Sequence, residues 1–269
     1  MTIKKTYKSA FLSICGVVCG SELAHAGAWT LPRGEGQAIS SFEISSASSA
    51  FSDMGDVDVT FSKNVSRLYA EHGVTDNFTL VFNGAHQTLG VQDEQTNLNF
   101  SDFDDIEIGG RYQIARGGGK AYALQLGYII GGGPARSIVE LDGRRDSVEL
   151  RGIIGRSFTL GENYNGFIDF QNALRLGEGV RVSEYRNELT VGLKRKNKVS
   201  LIGQLLRSEL TSEEDRGFVV PVTRQLKAKL AIGYEYKKNR HFELGLIDTI
   251  GGRNIIRERG VSFSTTYRY

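Results

Sequence analysis

The chain has 269 residues, 33 Lys and Arg against 31 Asp and Glu, and a formal net charge of +2. Met1 to Ala26 reads as a secretory signal, and its removal takes away Lys4, Lys5, Lys8 and Glu22, leaving 30 charges of each sign. A neutral mature chain lacks the basic excess of a nucleic-acid binder, and the loss of Cys15 and Cys19 excludes disulfides and thiolate metal sites in an exported protein.

The three lysines form the basic start of the signal, Ala10 to Val18 its apolar stretch, and Ala24-His25-Ala26 the cleavage site. Gly27 is therefore the expected first mature residue. A lipoprotein signal is the competing reading, but Ile14 and Val18, not small residues, precede the two cysteines. Residues 27–36 are expected as a periplasmic N-terminal segment and 37–269 as one domain, with no linker or long repeat.

Period-two segments fill that domain. Ile106, Ile108, Gly110, Tyr112 and Ile114 alternate with Glu107, Gly109, Arg111 and Gln113, and Tyr122 to Ile130 continues the pattern. Helical spacing cannot put these sets on one face, whereas a strand does so directly. About twelve such segments are expected, near 37–47, 58–72, 77–89, 103–115, 120–131, 146–158, 166–177, 184–194, 199–209, 223–236, 241–250 and 259–269. Lys63 and Arg67 interrupt the apolar face of the second, and Asn172 that of the seventh. Pro32, Pro134 and Pro221 all fall between segments, as expected where every strand donates to two neighbours.

The links alternate in length. Short ones run 73–76, 116–119, 159–165, 195–198 and 237–240; longer ones run 48–57, 90–102, 132–145, 178–183, 210–222 and 251–258. Short periplasmic turns and longer external loops are the layout of an outer-membrane barrel. Charge follows the same division: Lys194, Arg195, Lys196, Lys198, Lys237, Lys238 and Arg240 cluster at short turns, while Asp53, Asp56, Asp93, Glu94, Glu213, Glu214 and Asp215 lie in long loops. No segment approaches the ~20 apolar residues of a membrane helix, but a barrel strand needs only about ten with every second one apolar.

The fold class expected is all-β, a transmembrane antiparallel up-and-down β-barrel of about twelve strands with both termini periplasmic. A soluble periplasmic sheet protein is the rival, since its strands alternate too. Aromatics beside short turns, Tyr69, Phe78, Tyr112, Tyr122, Phe158, Tyr164, Tyr236 and Phe242, fit an interfacial girdle. The last strand, Val261 to Tyr269, alternates to its final residue, and Phe263, Tyr267 and Tyr269 resemble the terminal signal that such barrels present to their assembly machinery.

Two stretches carry a more particular likeness, Gly27-Ala-Trp-Thr-Leu-Pro-Arg-Gly-Glu-Gly-Gln37 and Leu68-Tyr-Ala-Glu-His-Gly-Val-Thr-Asp-Asn-Phe-Thr-Leu80. They resemble proteobacterial outer-membrane barrels of the XagA type. The resemblance implies a location, a fold and a link to surface polysaccharide, and it carries over no catalytic residue.

Chemistry is sparse. His72, His86 and His241 show no His-x-Ser spacing of outer-membrane lipases and deacylases, so nucleophilic catalysis lacks a base beside a hydroxyl in sequence. Gly117-Gly-Gly-Lys120 lacks the spacing of a phosphate loop and reads as a turn. Asp102, Asp104 and Asp105 could hold Ca²⁺ in an external loop, but solvated loop acids are the preferred reading, and neither metal nor cofactor is expected. Function is expected in the lumen, whose predicted residues are Glu107, Arg111, Glu149, Arg151, Asp169, Arg175, Arg186, Glu188, Lys227, Lys229, Glu235 and Glu243. The two outcomes are a packed set of ion pairs that plugs a narrow barrel and a hydrated passage whose charges sort solutes.

The expected function is a narrow channel or envelope-structural barrel associated with surface polysaccharide export; the alternative is a lipid-modifying enzyme. Expected partners are outer-membrane lipid and lipopolysaccharide, the barrel-assembly machinery, and small solutes or polysaccharide. A His and a Ser side chain within hydrogen-bond reach near the outer rim would favour the enzyme; an unobstructed charged lumen would favour the channel.

Overall fold

The computed structural model describes residues 27–52, 57–92, 97–132, 146–177, 182–195, 198–210, 214–215, 218–219 and 222–269. The signal of residues 1–26, and Asp53, Asp56, Asp93, Glu94, Glu213, Lys196, Pro134 and Pro221, lie outside them.

Twelve strands form the barrel: β1 (Gly36–Phe51), β2 (Val57–Thr75), β3 (Phe78–Gln92), β4 (Asn97–Gly117), β5 (Lys120–Ile130), β6 (Ser147–Leu160), β7 (Tyr164–Leu176), β8 (Val182–Arg195), β9 (Val199–Leu210), β10 (Thr223–Lys237), β11 (Arg240–Arg253) and β12 (Arg259–Arg268). Each pairs antiparallel with its sequence neighbours. Closure is made by β1, which pairs with β2 through Ile39↔Tyr69 and with β12 through Phe42↔Phe263. Closure leaves no free sheet edge, the condition for crossing a bilayer with strands. Two small additions stand at the long-loop end: Ile255–Ile256 pairs with the end of β1, and Glu214–Asp215 pairs with Phe218–Val219.

The alternation read from sequence becomes inside and outside. In β5 every second residue is buried, with Ala121, Ala123 and Gln125 inward and Tyr122, Leu124 and Leu126 outward. Outward apolar side chains are bare across the wall: Leu246 is 64% exposed, Ile232 60% and Leu126 58%. Transfer of such a side chain out of water is worth about 1.5–3 kcal/mol, so this belt is costly to leave in water. The inward face carries polar and charged side chains with near-zero exposure.

Three expectations are corrected. Strands reach further at the long-loop end than expected, so the links at 48–57 and 90–102 shrink to 52–56 and 93–96. There the polarity of the wall inverts: Ser62, Asn64, Ser66, Thr88 and Ser101 face outward, while Ala50, Val59, Phe61, Leu89, Val91 and Ile256 cluster inside. A wall that stands clear of lipid faces water outside, so the apolar-outward pattern used to find strands ends before the strands do.

The second correction concerns β2. Val59, Phe61, Lys63, Val65, Arg67, Tyr69 and Glu71 share the buried face, so Lys63 and Arg67 interrupt nothing; they are lumen residues. Tyr69, expected in the girdle, is therefore inside and donates its hydroxyl to Glu71. Tyr112, Tyr122, Tyr164, Tyr236 and Phe242 are exposed near the short turns, as are Tyr267 and Tyr269 at the end of β12.

The third correction is at a bulge in β4, where the ladder steps from His86↔Phe103 to Gly84↔Ile106. The extra residue turns both Asp104 and Asp105 inward, where both are buried. Asp105 meets Arg175 at 2.6 Å, so these acids are not external loop residues. Among the described residues no group of acids and histidines has metal-site geometry.

Candidate functional site

The N-terminal segment enters the barrel at the short-turn end. Expected outside the barrel, residues 27–30 instead lie against its inner wall, with Ala28 fully buried and Thr30 nearly so. The wall supplies the reason, because it offers polar groups that this backbone satisfies. Arg111 Nη1 donates to the Gly27 carbonyl at 3.0 Å, Gln113 Nε2 to the Ala28 carbonyl at 3.0 Å, and the Ala28 N–H donates to Asp169 at 3.0 Å. Thr30 Oγ1 donates to the Asp76 carbonyl at 2.7 Å, and the Leu31 N–H to Thr79 Oγ1 at 3.1 Å.

Two wall glycines make room for this segment. A Cβ on Gly73 would meet the Pro32 carbonyl at 2.2 Å, and the Gly73 N–H and carbonyl instead bond Glu35 and Gly34. A Cβ on Gly155 would meet the Trp29 indole at 2.6 Å. Gly36 then exchanges two backbone hydrogen bonds of 3.0 Å with Tyr269, so both ends of the barrel chain meet at one rim.

Three charged groups line the lumen. Near the segment, Arg111 is paired with Glu71 at 2.8 Å, donates to Tyr69 at 3.1 Å and to Gln125 at 2.9 and 3.1 Å, and Gln125 in turn donates to Glu107 at 2.8 Å. In the middle, Glu149 faces Arg186 at 2.8 Å and Arg175 at 3.7 Å and accepts from Arg151 Nε at 3.1 Å. Glu184 joins Arg186 at 3.2 Å and Arg175 at 3.6 Å, and Glu188 accepts from Gln204 at 2.6 Å. On the remaining wall, Glu258 holds Lys63 at 3.0 Å and Lys227 at 3.1 Å, and Lys229 pairs with Glu243 at 3.0 Å.

Glu258 lies in the link before β12. Burial pushes its carboxyl up, but the Lys227 and Lys63 ammoniums outweigh that and hold it at about 2, below the usual carboxylate range.

All twelve lumen residues named from sequence lie on the inward face, with Glu235 at the short-turn rim, paired with Lys194 at 2.6 Å. Sequence reading missed Lys63, Glu71, Glu184 and Glu258, which complete the same groups, and Arg67, which faces inward and donates to Asn83 at 3.2 Å. The signal for the β2 residues was present: counting by twos from Val59 to Glu71 collects all of them.

Between the middle charged group and β9, the described residues leave a void of about 10 Å³, lined by Arg151, Gln171, Arg186 and Leu206 among others. Toward the short-turn end the lumen opens into a cavity of about 520 Å³, bounded on one side by Gly27 and Trp29 and on the other by β7 to β12. The N-terminal segment and this cavity thus divide the short-turn half of the barrel. On the outer surface near the long-loop end, Ser101 Oγ lies 3.4 Å from His86 Nε2, and Thr88 Oγ1 lies 3.3 Å from Ser101 Oγ.

No family model matches the chain, and no curated protein matches it in sequence. In fold it is similar to an outer membrane channel from Pseudomonas putida F1, with a TM-score of 0.74 and 15% identity over 92% of this chain and 100% of that one. It is also similar to the translocator domain of the autotransporter NalP from Neisseria meningitidis, with a TM-score of 0.50 and 11% identity over 99% of this chain and 96% of that one. XagA-type barrels are not named among these structures. The chain has the fold of an outer-membrane β-barrel: twelve antiparallel strands, closed, with an apolar outer belt and a charged interior.

Proposed function

We propose that this protein is a narrow outer-membrane channel whose lumen is constricted by its own N-terminal segment and by the middle ion-pair layer. One observation carries the reading: the obstruction beside the 520 Å³ cavity is a segment outside the strand ladder, attached to the wall by hydrogen bonds. A purely structural barrel has no need of such a filling. The fold shared with a protein described as an outer membrane channel supports the same reading.

In this proposal cleavage after Ala26 makes Gly27 the first residue, both ends of the barrel face the periplasm, and the short turns lie on that side. Lipid and lipopolysaccharide cover the outer belt. The assembly machinery reads β12, where Phe263, Tyr267 and Tyr269 all face outward. Kinship with XagA-type barrels and an association with surface polysaccharide export rest on sequence resemblance, not on any residue of the lumen.

Single-channel recording of the refolded chain from Gly27 onward, beside a variant starting at Gly34, tests the channel. Small ion-selective steps are expected from the first and larger ones from the second. Silence from both, with insertion shown by heat-modifiable gel mobility, would leave a structural barrel.

The enzyme reading has one observation in its favour, the His86–Ser101 pair. Among the described residues no carboxylate or amide bonds the other His86 ring nitrogen, and Phe103 packs edge-on against the ring at 5.4 Å. A base without an orienting group is poorly placed to activate a hydroxyl. Ser101→Ala is expected to leave membrane lipid composition unchanged; accumulation of an intact acyl substrate would revive the enzyme.

A further inference from the structure

The cavity beside the N-terminal segment is lined by three cations, Lys194, Lys198 and Arg268, against two acids, Asp169 and Glu235. Of its lysines, Lys194 is paired with Glu235 at 2.6 Å. The wall acid Asp169 is occupied, accepting from the Ala28 N–H at 3.0 Å and from Gln171 at 2.8 Å. Arg268 also lines the cavity; its Nε is buried and meets no hydrogen-bond partner among the described residues, and the carboxylates of Glu235, Glu71 and Glu35 act on its charge. Lys198 stands at the same mouth, where it and Lys194 both act on the charge of Glu235.

The rest of the lining is of a different character. The Trp29 indole, the Phe167 ring and Ile202 give the same space an apolar wall, and Phe167 lies so close over Gly192 that a Cβ there would meet its ring at 2.1 Å. A volume of about 520 Å³ suits a molecule of one or two rings, since small-molecule sites span roughly 300–1,000 Å³. Around the mouth, Arg195, Lys237, Lys238 and Arg240 add positive charge at the short turns, a field that gathers anions.

We infer that this cavity is a binding site for a small organic monoanion, its carboxylate on Arg268 and Lys198 and its apolar body against Trp29, Phe167 and Ile202. The site deepens the channel reading by naming the class of solute that would dwell in the passage. It rests on that reading only for its role in transport, because binding itself needs no conduction.

Trp29 is the chain's single tryptophan, so its fluorescence reports on this cavity alone. Refolded protein in detergent is titrated with cyclohexanecarboxylate, with the neutral cyclohexanemethanol and with inorganic phosphate. A saturable change with the carboxylate only is expected. Arg268→Gln should weaken it by roughly tenfold or more, the loss of one charge-assisted contact, and Lys198→Gln by less. Arg259→Gln, at the long-loop end of β12, should leave it unchanged. Heat-modifiable mobility confirms that each variant is folded, and Lys198→Gln serves should Arg268→Gln fail to fold. An equal response to the neutral alcohol, no saturation, or unaltered binding in both Arg268→Gln and Lys198→Gln would overturn the site. Binding without conductance would sink the channel and keep the site; conductance without saturable binding would do the reverse.

Discussion

Arg111 Nη1 donates to the Gly27 carbonyl at 3.0 Å while the same guanidinium is paired with Glu71 at 2.8 Å, so one β4 side chain joins the N-terminal segment to β2. The segment is held where the wall has a buried charge pair to extend. A hydrogen bond to a charged donor is worth more than a neutral one, about 1.5–3 kcal/mol.

Arg111→Met should therefore act twice. It frees Gly27, raising conductance, and it removes the cation beside buried Glu71, leaving that carboxylate only the neutral donors Tyr69 and Gln37, at a cost on the order of 3–5 kcal/mol. Urea unfolding in detergent measures the cost, and Glu71→Gln in the same chain should recover part of it. A loss below roughly 1 kcal/mol would show that Tyr69 and Gln37 satisfy Glu71 without the guanidinium.

Gly155→Val should displace Trp29, because even a Cβ at this position would meet the indole at 2.6 Å. The expected result is a red-shifted tryptophan emission together with a larger single-channel step. Unchanged emission would mean that the ring does not rest on Gly155.

Acid should loosen the wall at Glu258. Its folded carboxyl is held at about 2 against an ordinary 4.5, a depressed value, so the stability it contributes is fully present above pH 4.5. That contribution is lost as pH falls through the window down to about 2. Glu258→Gln should flatten the pH dependence of unfolding across this window, measured by urea midpoints at each pH. A wild-type slope retained in the variant would assign the effect to other acids.

The lumen charges should set ion selectivity in opposite senses. Glu149→Gln leaves Arg151, Arg175 and Arg186 short of their shared acid, and the reversal potential should move toward anions. Arg151→Ala combined with Lys227→Ala and Lys229→Ala removes three lumen cations, and the potential should move toward cations. Equal potentials in both variants would place the conducting path away from these groups.

The period-two pattern was legible because a strand shows alternate side chains to opposite media whatever its partners. Ala121 to Ile130 reads the same in sequence and in the barrel. The inward charges of β4, β6, β8 and β10 could be named for the same reason, as could the short turns. Local alternation fails where the medium changes. Ser62 and Thr88 face outward beside inward Phe61 and Leu89, since that part of the wall stands beyond the apolar belt.

Only the tertiary structure decided which charges meet. Asp105 and Arg175 are 70 residues apart, and their contact depends on the β4 bulge and on closure of the barrel. Nor does any periodicity mark residues 27–30 as a filling, because their carbonyls and N–H groups find partners only once Arg111, Gln113 and Asp169 have been brought around one interior. Sequence determined the faces, through the alternation of side chains; the closed ladder determined the neighbours, because register and closure are properties of paired strands and not of any one of them.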